Sequence, residues 1–202
     1  VNEGFRHILE IARQGVPEGC GNSYFWVKPP RLVPLDRVYE IGGRIDFRGD
    51  EKAPIDEELA RDLVYSLKKE GIESVAICLL HSCVNPAHEL FMKKIFEEEY
   101  PACVLSISSD VLPEAQEYER TVAALLDAAC KPVTKNYLDR ASDRLPGGLP
   151  ESTPVLIMLS NGEVVSAAEA MMRPLATAMS GPAAGVLACT ALAGAAGLEK
   201  VI

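Results

Sequence analysis

The chain has 202 residues, with 20 Lys and Arg against 29 Asp and Glu, and its formal net charge of −9 gives no overall support to a nucleic-acid or anionic-membrane surface. Hydrophobic residues at 48% and charged residues at 24% are the balance of a folded globular chain and exclude a disordered one. The length suits one domain with a good core or two small lobes, and is short for most complete multi-domain enzymes.

From Gly4 to Asp50 the sequence is broken by Pro and Gly, which leaves room for a short helix over Phe5 to Gln14 and brief strands. After Pro54 the signals sharpen. Asp56, Glu57 and Glu58 mark a helix start, Leu59, Leu63 and Leu67 repeat at four-residue spacing, and Lys68, Lys69 and Gly71 close the helix. Ser74 to Leu80 reads as a buried strand, Asn85-Pro86 opens a helix running to about Tyr100, and Ala102 to Ile107 reads as a second strand. Strand, crossover helix and strand make a parallel βαβ unit.

From Pro113 to Leu145 apolar residues keep to three- and four-residue steps, one long amphipathic face that Pro132 should kink or split. A turn at Pro146-Gly147-Gly148 leads to a strand over Val155 to Leu159, the polar loop Ser160-Asn161-Gly162 and a short helix from about Ala167 to Met172. A small-residue helix follows from about Pro182 to Ala196, and Leu198 to Ile202 enters a further strand. The count predicts an α/β fold with a mainly parallel sheet and flanking helices, divided into an irregular segment 1–50, an α/β core 51–178 and a connecting helix 179–202.

The six cysteines are scattered, several of them within apolar runs, which reads as reduced thiols in a cytoplasmic protein. The chain opens Val1-Asn2-Glu3 without a leader and reads as a piece of something longer. Ala183 to Leu198, the longest apolar stretch, falls short of the roughly 20 residues of a membrane span, and its Ala and Gly content suits tight helix packing.

Four clusters hold residue types that can do chemistry. His81 to Glu89, after a predicted strand, gathers His81, His88, the Cys83 thiol and the Glu89 carboxylate, which are metal-ligand or acid-base types with His81 and His88 as candidate metal ligands, or else Asn85-Pro86 is an ordinary helix start and His88 simply bonds a loop carbonyl in the first helical turn. Glu117, Arg120 and Thr121 place a carboxylate, a guanidinium and a hydroxyl on the first turns of the long helix, where Glu117 and Arg120 are catalytic candidates or a solvated ion pair. Ser160, Asn161 and Gly162 follow a strand and could meet a ligand, or form a plain turn. Ser180 and Gly181 precede Pro182 and Gly185 at a helix start whose amides suit an anion, or whose small residues let another backbone come close. The P-loop, the dinucleotide fingerprint, the nucleophile elbow and Cys-x-x-Cys are all absent from the sequence.

Six blocks in order resemble one family: Gly4 to Gln14, Lys28 to Pro34, Leu79-Leu80-His81-Ser82 with Asn85-Pro86-Ala87-His88-Glu89, Val111 to Glu114 with Glu117-Tyr118-Glu119-Arg120-Thr121, Ser160-Asn161-Gly162, and Ser180 to Gly185. Together they are similar to the A-subunit of the hydantoinase/oxoprolinase family. The sequence departs from the family at Glu163, where a second Gly is usual, and at Cys83, where an aromatic residue is common. The resemblance implies ATP-dependent opening of a cyclic amide such as oxoproline or a hydantoin, or carboxylation of a ketone, together with a B-type subunit or domain. It further implies an actin-like ATPase/sugar-kinase fold of which this chain is one part. On that analogy ATP and magnesium belong to the full-length protein and are not bound strongly by this stretch, which lies between the two phosphate loops. The Ser180 helix then corresponds to the connector between lobes. A non-catalytic module that associates with the B-type subunit is the other expectation.

Overall fold

The computed structural model describes residues 1–12, 30–144, 154–198 and 200. The expected turn at Pro146 to Gly148, the end of the first helix at Gln14 and the strand end at Ile202 lie outside the described residues. The chain divides into two compact units, Val1–Ala128 and Ala129–Ile202. That division differs from the segment boundaries at 50 and 178.

In the first unit, helix α1 (Ile8–Ile11) is a single turn, and strands β1 (Arg44–Ile45) and β2 (Glu51–Ala53) pair antiparallel. Helix α2 (Glu57–Lys69) is capped by Asp56, whose carboxylate accepts from the amides of Glu58 and Leu59. Its buried face is Ala60, Val64 and Leu67, while Leu59 is exposed. The core stripe is therefore rotated from the predicted Leu59-Leu63-Leu67 line, with Leu63 only partly buried at its margin.

Strands β3 (Ser74–Ile77) and β4 (Val104–Ile107) pair in parallel, Ser74 opposite Val104 and Ile77 opposite Ile107, with helix α3 (Ala87–Glu99) as the crossover. β3 is shorter than the predicted Ser74–Leu80. The reason is local: the amides of Leu79 and Leu80 are taken by the side chains of Glu89 and Asn2 and leave the ladder. The two faces of the pair differ in size. Ile77, Leu79 and Ile107 join α2 and α3 in an apolar core with Val64, Leu67, Met92, Ile95 and Phe96. β4 runs straight into the single-turn helix α4 (Ser108–Val111), and on the other face of the pair the small residues Ser74, Cys78 and Ser106 bond to residues of helix α5 (Glu117–Arg144).

α5 runs on through Pro132, so of the expected kink or split the split does not occur. Proline lacks an amide hydrogen, so the carbonyl four residues earlier, that of Ala128, loses its helical partner. Ser74 Oγ of β3 donates to that carbonyl at 2.7 Å and satisfies it.

In the second unit, strands β5 (Leu156–Met158) and β6 (Val164–Ser166) form an antiparallel hairpin, followed by helix α6 (Ala167–Met172), a 3₁₀ turn Pro174–Thr177 and helix α7 (Ser180–Ala195). Leu138, Leu159, Val165 and Ala170 form its core. β6 was not foreseen in the sequence. A three-residue strand shows only one period of alternation, Val165 buried between exposed Val164 and Ser166.

The mainly parallel sheet is corrected. Among the described residues there are three two-stranded sheets, and only β3–β4 is parallel. Short turns join β1 to β2 and β5 to β6, and a tight turn permits only antiparallel pairing. What stands is a mixed α/β architecture with small sheets. Close packing of α7 is not made within the described residues: only Ala193 is buried, and nothing lies within 4 Å of a Cβ placed at Gly181, Gly185 or Gly194. No helix among the described residues is long and apolar enough to cross a membrane.

Candidate functional site

The carboxyl ends of β3 and β4 carry a buried polar network. Glu89, in the first turn of α3, is fully buried, and its Oε1 accepts from Leu79 N at 2.8 Å and from Ser108 Oγ at 2.5 Å. Its Oε2 accepts from Ser109 N at 2.8 Å. Three donors thus occupy the two carboxylate oxygens in a site closed to water. Arg120, also fully buried, donates from Nη1 to Ser82 Oγ at 2.6 Å and from Nη2 to the carbonyl of Leu79 at 2.9 Å.

The two hydroxyls join these charges in one direction. Ser108 gives its proton to Glu89, so at its 3.2 Å contact with Ser82 it accepts; Ser82 in turn accepts from Arg120. Guanidinium, hydroxyl, hydroxyl and carboxylate thus form an aligned chain out of water, where hydrogen bonds to ionised groups are strong. Arg120 Nε and Ser109 Oγ are buried without a hydrogen-bond partner.

Asn2 fastens the same turn from the chain start. Its Oδ1 accepts from Leu80 N at 2.7 Å and its Nδ2 donates to Gly43 O at 2.9 Å. Gly43 has φ +88°, and a Cβ there would stand 2.5 Å from Ile55 Cγ1, so no side chain fits. Asn85 Nδ2 donates to Gly49 O at 2.9 Å, tying the start of α3 to the β1–β2 hairpin.

The candidates fare differently. Arg120 is not part of a solvated ion pair: its partners are Ser82 and Leu79, and the carboxylate of half-buried Glu117 is not among them. The main-chain carbonyl of Glu117 accepts from Thr121 Oγ1. His88 is buried, with Nε2 2.7 Å from Glu51 Oε1 of β2, in place of the loop carbonyl expected in the non-metal reading. His81 is half-buried with a left-handed backbone at φ +58°. No group of three His, Cys, Asp or Glu among the described residues is placed to hold a metal ion.

Ser160, Asn161, Gly162, Ser180 and Gly181 lie in the second unit. Asn161 Oδ1 accepts from Glu163 N at 2.9 Å, Gly162 turns the hairpin at φ +84°, and Ser160 Oγ donates to Ala176 O and accepts from Met179 N at the start of α7. Sequence reasoning missed Glu89, Ser82, Ser108 and Asn2 as a constellation. Glu89 and Ser82 stood in the quoted motifs, but nothing in their spacing shows that Asn2 and Arg120 reach them across the fold.

Two family models match, the hydantoinase/oxoprolinase N-terminal region over residues 1–100 and hydantoinase/oxoprolinase over residues 120–202, leaving only 101–119 outside. The chain belongs to the hydantoinase/oxoprolinase family, as an A-type stretch of it. It is 34% identical over 187 residues to an uncharacterized protein of Methanocaldococcus jannaschii, covering 92% of this chain and 27% of that one. It is 30% identical over 202 residues to caprolactamase subunit alpha of Pseudomonas jessenii, covering 99% of this chain and 29% of that one. The crystal structure of ATP-dependent caprolactamase from Pseudomonas jessenii superposes with a TM-score of 0.84 at 29% identity, over 98% of this chain and 28% of that one. A nucleotide-free acetone carboxylase structure superposes with a TM-score of 0.79 at 25% identity, over 97% and 29%. The chain therefore spans under a third of the length of these relatives.

Proposed function

We propose that the chain is part of the A-type subunit of an ATP-dependent enzyme that opens a cyclic amide, incomplete as an isolated stretch. The observation that supports this reading is the end-to-end likeness to ATP-dependent caprolactamase, with the buried Glu89–Arg120 network inside the matched region. ATP and magnesium are held by other parts of the full-length protein. Within the first unit, the oxygens of Glu89 and the Nη atoms of Arg120 are already engaged internally and do not form a phosphate cradle. The finer fold is part of an actin-like ATPase or sugar-kinase architecture, in which α7 couples lobe closure to nucleotide state. Ser160, Asn161, Gly162, Ser180 and Gly181 serve the substrate side, and a B-type subunit completes the enzyme. The five described cysteines are free thiols, which supports a cytoplasmic location.

The test is ADP release by the full-length protein co-expressed with its B-type subunit, offered caprolactam, 5-oxoproline, hydantoin, or acetone with bicarbonate. Release that depends on a cyclic amide is expected. Release only with acetone and bicarbonate would make it a ketone carboxylase, and a stable complex without turnover on any of them would make it a binding module. Strong binding of magnesium-ATP by the 202-residue chain alone would overturn the placement of the nucleotide site.

A further inference from the structure

The turn after β3 combines two features that its fold role does not require together. Its backbone passes through the left-handed region at His81, φ +58°, where glycine or asparagine is accommodated with less strain. The turn itself needs this geometry, because His81 O accepts from both Val84 N and Asn85 N, at 2.9 and 3.0 Å. It does not need an imidazole.

On either side of His81 the chain is fastened by buried polar groups. Leu79 is held by Glu89 and Arg120, Leu80 by Asn2, and Ser82 by Arg120 and Ser108. Buried charged networks are weak sources of net stability, since well-packed apolar residues often do as well, and their better-attested use is to fix one conformation. Here the conformation fixed is that of a strained, half-buried histidine at the carboxyl end of a parallel strand, the end at which α/β sheets place ligands.

We propose that His81 is the side chain of this turn that contacts the substrate, with Glu89, Arg120, Ser82 and Asn2 as its positioning residues. This rests on the functional reading above, and the ligand chemistry is the polar edge of a cyclic amide. A ring nitrogen of an imidazole can donate to a carbonyl or accept from an N–H, so His81 would take one of the two polar groups that such a ring presents.

His81→Gly and His81→Asn test it, because both residues suit the left-handed region and a purely structural histidine should be replaceable by either. In the full-length enzyme with its partner subunit, both variants are expected to melt no lower than wild type, and His81→Gly, which removes every polar side-chain atom, to lose at least ten-fold in kcat/KM for the cyclic amide, with His81→Asn, whose amide can still donate or accept, losing less. A loss smaller than ten-fold in folded His81→Gly overturns the proposal. The wild-type assay separates the two ideas: no ADP release with any cyclic amide defeats the functional reading, whereas an active wild type with active variants defeats only the role of His81.

Discussion

Two polar turns, both legible in the sequence, are built on opposite principles. The turn after β3 is held from inside by fully buried Glu89 and Arg120, through hydroxyls and main-chain atoms they reach from other elements. The Ser160–Gly162 turn is held at the surface, by the Asn161 bond to Glu163 N and the Ser160 link to the start of α7. A buried ionised group without its partner is costly, while an exposed turn that loses a bond turns to water. The first turn should therefore respond steeply to mutation and the second mildly.

Glu89→Ala is the strongest challenge to this contrast. It removes the buried acceptor for two amides and a hydroxyl, at about 1–3 kcal/mol for each donor left unsatisfied. Urea unfolding of the chain should show it, and a shift of under about 1 kcal/mol, the scale of an exposed pair, would mean the network is not buried as described. Asn2→Ala comes next, expected to cost about 1–3 kcal/mol for the orphaned Leu80 amide and lost Gly43 bond. Amide exchange at Leu80 should accelerate with it.

Gly162→Ala tests the surface turn. It forces a side chain into φ +84° and sets a Cβ 3.1 Å from Leu187 Cδ1, at a cost of about 1–2 kcal/mol, read from thermal unfolding. The smallest effect belongs to Arg61→Ala. Arg61 pairs with Glu57 on its own helix and links α2 to α3 through Glu98 and Glu99 on the surface, and hydrogen bonding to Glu98 holds its guanidinium protonated well above the ordinary range. The same bond lowers the Glu98 carboxyl, so its contribution is present above the ordinary carboxylate pKa and is lost as pH falls through the lowered folded value. Wild type and variant should converge in acid and in molar salt, and a difference that persists there would contradict surface placement.

Helix ends were readable because their signals are local. Asp56 accepts from the amides two and three residues ahead, and acidic and basic residues occupy the matching turns of α2. β6 escaped notice because one buried valine among three residues is no pattern, and the length of β3 was overestimated because Leu79 and Leu80 continue an apolar run while side chains capture their amides. The motif singles out Arg120 as a catalytic candidate or half of a solvated ion pair, and its full burial is not foreseen, since a charged residue on a helix start is most often exposed.

The sequence alone determined the longer helices, the βαβ crossover and the family, all carried by neighbours within a few turns or by ordered blocks of residues. Only the tertiary structure decided the small mixed sheets, the continuity of α5 through Pro132 and the burial of the Glu89–Arg120 network. Each of these depends on a partner far away in the chain: Ser74 for the Ala128 carbonyl, Asn2 for the Leu80 amide, Ser82 for the Arg120 guanidinium. A hydrogen bond across such separations follows from how the layers pack, and local spacing holds no record of it.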